Sequence, residues 1–248
     1  MKRTDRSFVM TTSWDDGHPL DMRVAEMLAK RGLTGTFYVP RSNQKPVMDR
    51  SQILELSKSF EIGAHTLEHV RIDRLSDAEA RLQLSGSREW IEELTGQSCR
   101  LFCFPGGKFR NRQLQLVRQA GYQAARTVEL LSAASPRRVD GLFVIPTTIQ
   151  VFPHGLFAYA RNALKRLSTP PLHWLRRSLL SRDWLTLAKE LFIRVVKRGG
   201  VFHLWGHSWE IAEQRQWQAL EDFLAFAEAH LKSASCVTNG ELCRGCAT

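Results

Sequence analysis

The residues of this chain best able to do chemistry fall into four short groups. The first is the adjacent pair Asp15-Asp16, within Thr11-Thr12-Ser13-Trp14-Asp15-Asp16-Gly17-His18. Neighbouring side chains on an extended segment point apart. One carboxylate can therefore ligate a metal while the other takes a proton, although Asp-Asp-Gly is also ordinary turn chemistry. The second group is His65 and His69, four apart, which share a face on a helical turn. Two imidazoles and a carboxylate make a metal site with positions left open for water and substrate. Zinc with three protein ligands is the common hydrolytic form. Glu68 is not placed as in His-Glu-x-x-His, so a zincin is disfavoured. The third group is Pro105-Gly106-Gly107, and the fourth is His207, with His203 four residues before it.

Each group follows a segment that reads as a strand. Phe8-Val9-Met10 is short and apolar, and Gly17 and Pro19 stop the strand. Further strands are expected at 34–39, 61–64, 101–104, 122–127, 142–145, 147–151, 201–205 and 235–238. Helical periodicity covers 20–31, a segment capped by Asp49 or Ser51, 76–95, 113–120 and 210–230. Ser76 and Glu79 form a capping box. Residues 132–141 read as loop. Strands and helices alternate throughout, which argues for an α/β chain with a largely parallel sheet. About seven of these segments fit a single-domain distorted (β/α) barrel, slightly smaller than the eightfold form. Parallel neighbours would aim all four groups into one mouth, where α/β folds bind ligands.

Bulk properties narrow the class. The 248 residues are 43% hydrophobic and 24% charged, ordinary for a globular protein, and no apolar run is long enough to span a bilayer. The charged start suggests no export signal, so a cytoplasmic location is expected. Five cysteines do not form a disulfide framework, and Cys243 and Cys246 make a weak zinc candidate in a short exposed tail. The net charge of +10 favours acidic partners. Ten Lys/Arg between 161 and 198 face only Asp183 and Glu190, in a basic helical insertion over about 155–198 that Pro170-Pro171 interrupts. That segment suits a phosphate-bearing substrate or peripheral contact with an anionic membrane. No nucleic-acid recognition motif is present, so no specific nucleic acid is expected.

With these residues in this order, the chain resembles the polysaccharide deacetylase (NodB-homology) family over roughly 8–209. The family's Thr-Phe-Asp-Asp-Gly is met here by Ser13-Trp14-Asp15-Asp16-Gly17. His65-Thr66-Leu67-Glu68-His69 matches its His-Ser/Thr-x-x-His in full. Its Arg-x-Pro-x-Gly appears as Cys103-Phe104-Pro105-Gly106-Gly107, and its last apolar strand and histidine as Leu204-Trp205-Gly206-His207.

The resemblance implies metal-dependent removal of an acyl group from an amino sugar. It places one divalent metal ion on Asp16, His65 and His69: zinc first, with cobalt, nickel, manganese or iron as alternatives. Asp15 becomes the general base and His207 the general acid, with His203 as the other candidate. Two features depart from the family. Cys103 stands where an arginine commonly orients the base, and Arg126, at the end of the next strand, is the candidate substitute, with Thr127 lining the pocket. Pro105 and Gly106 would border the oxyanion, and Trp209 and Trp205 could stack on a sugar; Thr147, Thr148 and His154 are further contact candidates. The expected substrate is an N-acylated sugar, phosphate-, nucleotide- or lipid-linked, from surface-polysaccharide biosynthesis. A sugar deformylase or a non-catalytic carbohydrate-binding relative is the alternative.

Overall fold

A computed structural model of the chain describes residues 8–154, 183–231 and 235–246. Strand β1 (Phe8–Asp15) lies at its centre, its last six residues buried. It pairs in parallel with β9 (Gly200–Gly206) along one edge. Its other edge is shared: β10 (Ser235–Val237) pairs with Val9 to Thr11, and β2 (Thr36–Val39) with Ser13 to Asp15. Beyond β2 come β3 (Glu61–Ala64), β4 (Leu101–Cys103), β5 (Ala124–Arg126), β7 (Leu142–Ile145) and β6 (Arg137–Val139). Beyond β9 lies the two-residue β8 (Ile149–Gln150). Only the β6–β7 pair is antiparallel among the described strands.

The order of strands dictates the curvature. β7 and β8 stand seven strand spacings apart, about 34 Å in a flat sheet. The link from Ile145 to Ile149 reaches at most about 14 Å. The sheet must therefore curl until its ends approach, giving a distorted (β/α) barrel. Helices Asp21–Ala29, Arg50–Ser57, Asp77–Thr95, Asn111–Gln119, Trp184–Arg198 and Trp217–His230 carry the apolar faces that cover it. The larger core lies between helices and sheet and includes Val24, Leu84, Val117, Phe192 and Phe223. The smaller one fills the barrel with Tyr38, Leu101, Cys103, Ala124 and Val201.

Local chemistry accounts for the boundaries. Ser76 and Glu79 form a reciprocal capping box, and Gly96 closes the same helix at φ 68°. Asp49 and Gln52 do the same for the second helix.

Several segments differ from their sequence reading. Residues 137–139, expected as loop, form β6 in a hairpin with β7. Asp140 (φ 49°) and Gly141 (φ 86°) supply the two left-handed positions of its turn. The 210–230 segment is two helices, Ser208–Glu213 and Trp217–His230, parted where Arg215 turns to φ 54°. The C-terminal segment is not an exposed tail: Asn239–Gly245 is a capped helix whose Leu242 and Cys243 are buried with the barrel interior. Of the basic insertion, Trp184–Arg198 is helical as expected, while 155–182 and its Pro170-Pro171 lie outside the described residues.

Candidate active site

The C-terminal ends of β1, β3, β4, β5 and β9 border one cavity of about 580 Å³. It takes in Asp15, Asp16, His65, His69, Trp205, His207 and Trp209. The groups that were far apart in sequence therefore do converge.

Asp15 is the last residue of β1 and Asp16 the first beyond it. Asp16 adopts φ 77°, and Gly17 follows at φ 60°. This reversal turns the Asp16 carboxylate toward the loop after β3. That loop is irregular, not the helical turn expected for a histidine pair four apart. Thr66 (φ 64°) and His69 (φ 51°) both occupy the left-handed region, and the loop brings the two rings to 4.9 Å between centroids. Backbone strain of about 1–3 kcal/mol per such residue persists only where surrounding structure enforces it, and it clusters at functional sites.

Asp16 Oδ1 lies 3.4 Å from His65 Nε2 and 3.0 Å from His69 Nε2. It is buried and makes no aligned hydrogen bond. One oxygen and two nitrogens thus lie within 4.8 Å of one another at the cavity edge. Burial alone would raise the Asp16 carboxyl, but the two imidazoles and the charge of His207 hold it well below the usual carboxylate range. An orphaned carboxylate oxygen beside two imidazoles is a donor set that fits a divalent cation such as zinc. Outer contacts fix these side chains. His65 Nδ1 lies 2.9 Å from the Cys103 carbonyl oxygen, so Nδ1 carries the proton and Nε2 keeps its lone pair. Trp209 Nε1 donates to Asp16 Oδ2 at 2.8 Å. Trp209 therefore orients the Asp16 carboxylate, and Lys45 covers its ring with Nζ 3.8 Å from the centroid.

Asp15 is held from two sides. Arg126 Nη2 donates to its Oδ1, and the Cys103 thiol approaches its Oδ2 at 3.6 Å. Arg126 ends β5 next to Cys103 in register and is fully buried, its Cζ 4.7 Å from the Trp205 ring centroid. Cys103 is itself fully buried, and a second cluster of possible ligand atoms groups it with Asp15 and His65.

His207 leaves β9 beside the cavity, its ring 5.5 Å from those of Trp205 and Trp209. Its Nδ1 lies 2.5 Å from Glu210 Oε2, and its Nε2 lies 4.0 Å from Asp16 Oδ2. Burial disfavours its charge, yet the Glu210 hydrogen bond and the charges of Asp16 and Asp15 raise its pKa. Glu210, absent from the sequence reading, also accepts from Gln150 Nε2 at 2.8 Å. Its signal was the three-residue spacing from His207 at a helix start.

His203 is a correction. It points away from the cavity and is 1% exposed, with Nε2 2.8 Å from Ser13 Oγ and Nδ1 3.0 Å from the Pro146 carbonyl oxygen. Burial, then the nearby Arg126, pushes its pKa down to about 3. It is a hydrogen-bonded core histidine outside the cavity lining. Pro105 is likewise buried behind its turn, while Gly106, Gly107 and Lys108 line the cavity. Thr147 and Thr148 spend their hydroxyls on the Glu129 and Ser132 carbonyls. Thr127 and His154 do line the cavity.

Residues 2–125 match the family model described as polysaccharide deacetylase. The matched span holds Asp15, Asp16, His65 and His69 and stops one residue before Arg126. No curated protein matches the chain. Among solved structures, one from Mycobacterium smegmatis, assigned to the polysaccharide deacetylases, is 16% identical, with 99% of this chain and 92% of that one covered and a TM-score of 0.69. The chitin deacetylase of Colletotrichum lindemuthianum is 15% identical over 94% of this chain and 86% of that one, with a TM-score of 0.62. A CE4 family pseudoenzyme from Bacillus anthracis is 16% identical over 95% of this chain and 65% of that one, with a TM-score of 0.55. At such identities the likeness shows a shared fold.

Proposed function

This chain belongs to the polysaccharide deacetylase family, and from that premise and the geometry of its site we propose that it is a metal-dependent carbohydrate N-deacetylase. The observation that carries the reading is Asp16 Oδ1, buried without a hydrogen bond between the Nε2 atoms of His65 and His69, next to an Asp15 clamped by Arg126. Asp16, His65 and His69 would hold one divalent cation, with zinc the first candidate. When bound, the cation would polarise the amide carbonyl and acidify a water.

The chain's own groups divide the remaining work. Asp15, positioned by Arg126, takes the proton of the attacking water. His207, whose protonated form Glu210 favours, gives a proton to the departing amine. Gly106 brings backbone close to the cavity, where an amide N–H can donate to the oxyanion; that of Gly107 is spent on the Phe104 carbonyl. Arg126 acts through Asp15, and Trp209 through Asp16. The pseudoenzyme among the structural relatives makes a binding-only role the second reading to test. The complete ligand, base and acid set supports catalysis.

We further propose an amino-sugar intermediate of surface-polysaccharide biosynthesis as substrate, with a phosphate-bearing carrier. Lys108, exposed on the cavity rim, and the net charge of +10 support an anionic group near the sugar. All five cysteines are free, which supports a reducing, cytoplasmic compartment. The test is acetate release by the zinc-loaded protein from a nucleotide-linked N-acetylhexosamine and from a neutral N-acetylglucosamine oligosaccharide. Faster release from the first supports the full reading. Equal or slower release removes the carrier, formate release from an N-formyl sugar instead would favour the deformylase, and sugar binding without any release would leave the binding-only role.

A further inference from the structure

A second cavity, of about 710 Å³, opens at the other end of the barrel. Its wall includes Glu61, Leu101 and Ala124, the first residues of β3, β4 and β5. His65, Cys103 and Arg126, beside the upper cavity, follow or end those same strands. The two cavities therefore occupy opposite ends of three short strands, about 10 Å apart along them. The Asn239–Gly245 helix forms part of the lower wall through Gly240, Cys243 and Arg244.

Three arginines from three separate elements line this cavity: Arg100 before β4, Arg138 on β6 and Arg244 on the C-terminal helix. Among the described residues, none of the three makes a side-chain hydrogen bond or ion pair. Arg138 rests its Cζ 4.8 Å from the ring centroid of Phe143, its partner in the β6–β7 register. Glu61 is the one acidic residue on the wall, and it is already engaged. Its Oε2 accepts from Thr36 Oγ1 at 2.7 Å and from the Gly240 amide at 2.9 Å. Burial pushes its carboxyl up, against the pull of these hydrogen bonds and of the nearby Arg244 charge.

Unpaired guanidinium groups on a concave wall are a recognition arrangement for phosphate, since each planar fork can grip two oxygens. The volume falls within the usual range for small-molecule pockets. We infer that this lower cavity binds a small phosphorylated ligand, with Arg100, Arg138 and Arg244 taking its phosphate oxygens. An occupant there would bridge the β6–β7 hairpin, the approach to β4 and the C-terminal helix. The site is separate from the deacetylase reading and stands or fails without it.

The probe is inorganic pyrophosphate, titrated calorimetrically into the full metal-loaded chain at constant ionic strength. The wild type should show one saturable event, and His69→Ala should retain it, because that variant disables only the upper site. Arg100→Ala/Arg244→Ala should bind at least about tenfold more weakly at an unchanged melting temperature, and Arg100→Lys/Arg244→Lys should fall between. The absence of a saturable event in the wild type would overturn the inference. So would unchanged affinity in the double alanine variant, or loss of the event in His69→Ala.

Discussion

Arg126 and Asp15 form a buried ion pair across the top of the barrel, the guanidinium fully enclosed and its Nη2 donating to Asp15 Oδ1. Burial opposes the charge on Arg126, but Asp15 outweighs it and raises the arginine's pKa further. In the proposed reading, the pair supplies the arginine that position 103 lacks. β4 and β5 are neighbours in register, so Cys103 and Arg126 sit side by side, and either could reach Asp15.

The first prediction concerns that pair. Arg126→Ala leaves Asp15 buried without a countercharge and should cost about 3–5 kcal/mol of stability. Arg126→Lys keeps the charge but loses the fork, so kcat should fall about a hundredfold with the fold retained. Thermal melts and acetate-release kinetics on both variants check this. A fully active Arg126→Lys enzyme would deny Arg126 its positioning role.

Asp15→Asn should keep the metal and lose at least about a thousandfold in kcat. His65→Ala should lose both metal and turnover. Elemental analysis beside the rate assay separates the two, and metal loss in Asp15→Asn would move Asp15 into the ligand set.

The pH profile follows from His207. Its pKa is raised despite burial, chiefly by Glu210 and then Asp16 and Asp15. A general acid must carry its proton, so kcat should hold below that raised value and decline as pH climbs through it. Glu210→Gln removes the anionic partner and should shift this alkaline limb toward lower pH by about one unit, equivalent to about 1.4 kcal/mol. A limb that stays in place would assign the proton to another group.

Trp209→Phe deletes the indole donor to Asp16 Oδ2 while keeping the aromatic volume. Metal affinity, measured by competition with a chromophoric chelator, should weaken about tenfold. Unchanged affinity would make Trp209 a wall residue only.

The two late histidines should separate cleanly. His203→Ala strands Ser13 Oγ and the Pro146 carbonyl and should cost about 2–3 kcal/mol, with kcat altered less than about tenfold. His207→Ala should lower kcat by at least about a hundredfold at wild-type stability. Melts and kinetics on the pair decide it, and the reverse pattern would exchange their roles.

Much of this was legible in the sequence, for identifiable reasons. Strand ends marked by Gly and Pro placed Asp15, Asp16, His65 and His207 at one rim, and paired caps such as Ser76 with Glu79 set helix starts. What escaped depended on contacts between distant segments. Whether His203 faced the pocket or the core turned on Ser13 and Pro146, far away in sequence. Trp209 read as a sugar platform because its indole partner, Asp16, lies 193 residues away. Strand β6 hid because Arg137 and Arg138 are exposed and break the apolar alternation, although Asp140-Gly141 carried the hairpin signal. The helical turn assumed for His65 and His69 failed on Thr66 and His69 themselves, whose left-handed backbone no spacing rule announces.

Elemental analysis of the purified chain, after dialysis against trace zinc, tests the site without any choice of substrate. About one equivalent of metal in the wild type, with none retained by His65→Ala/His69→Ala at intact fold, is the expected result. A wild type that stays metal-free, or a double variant that holds as much metal as the wild type, would contradict it.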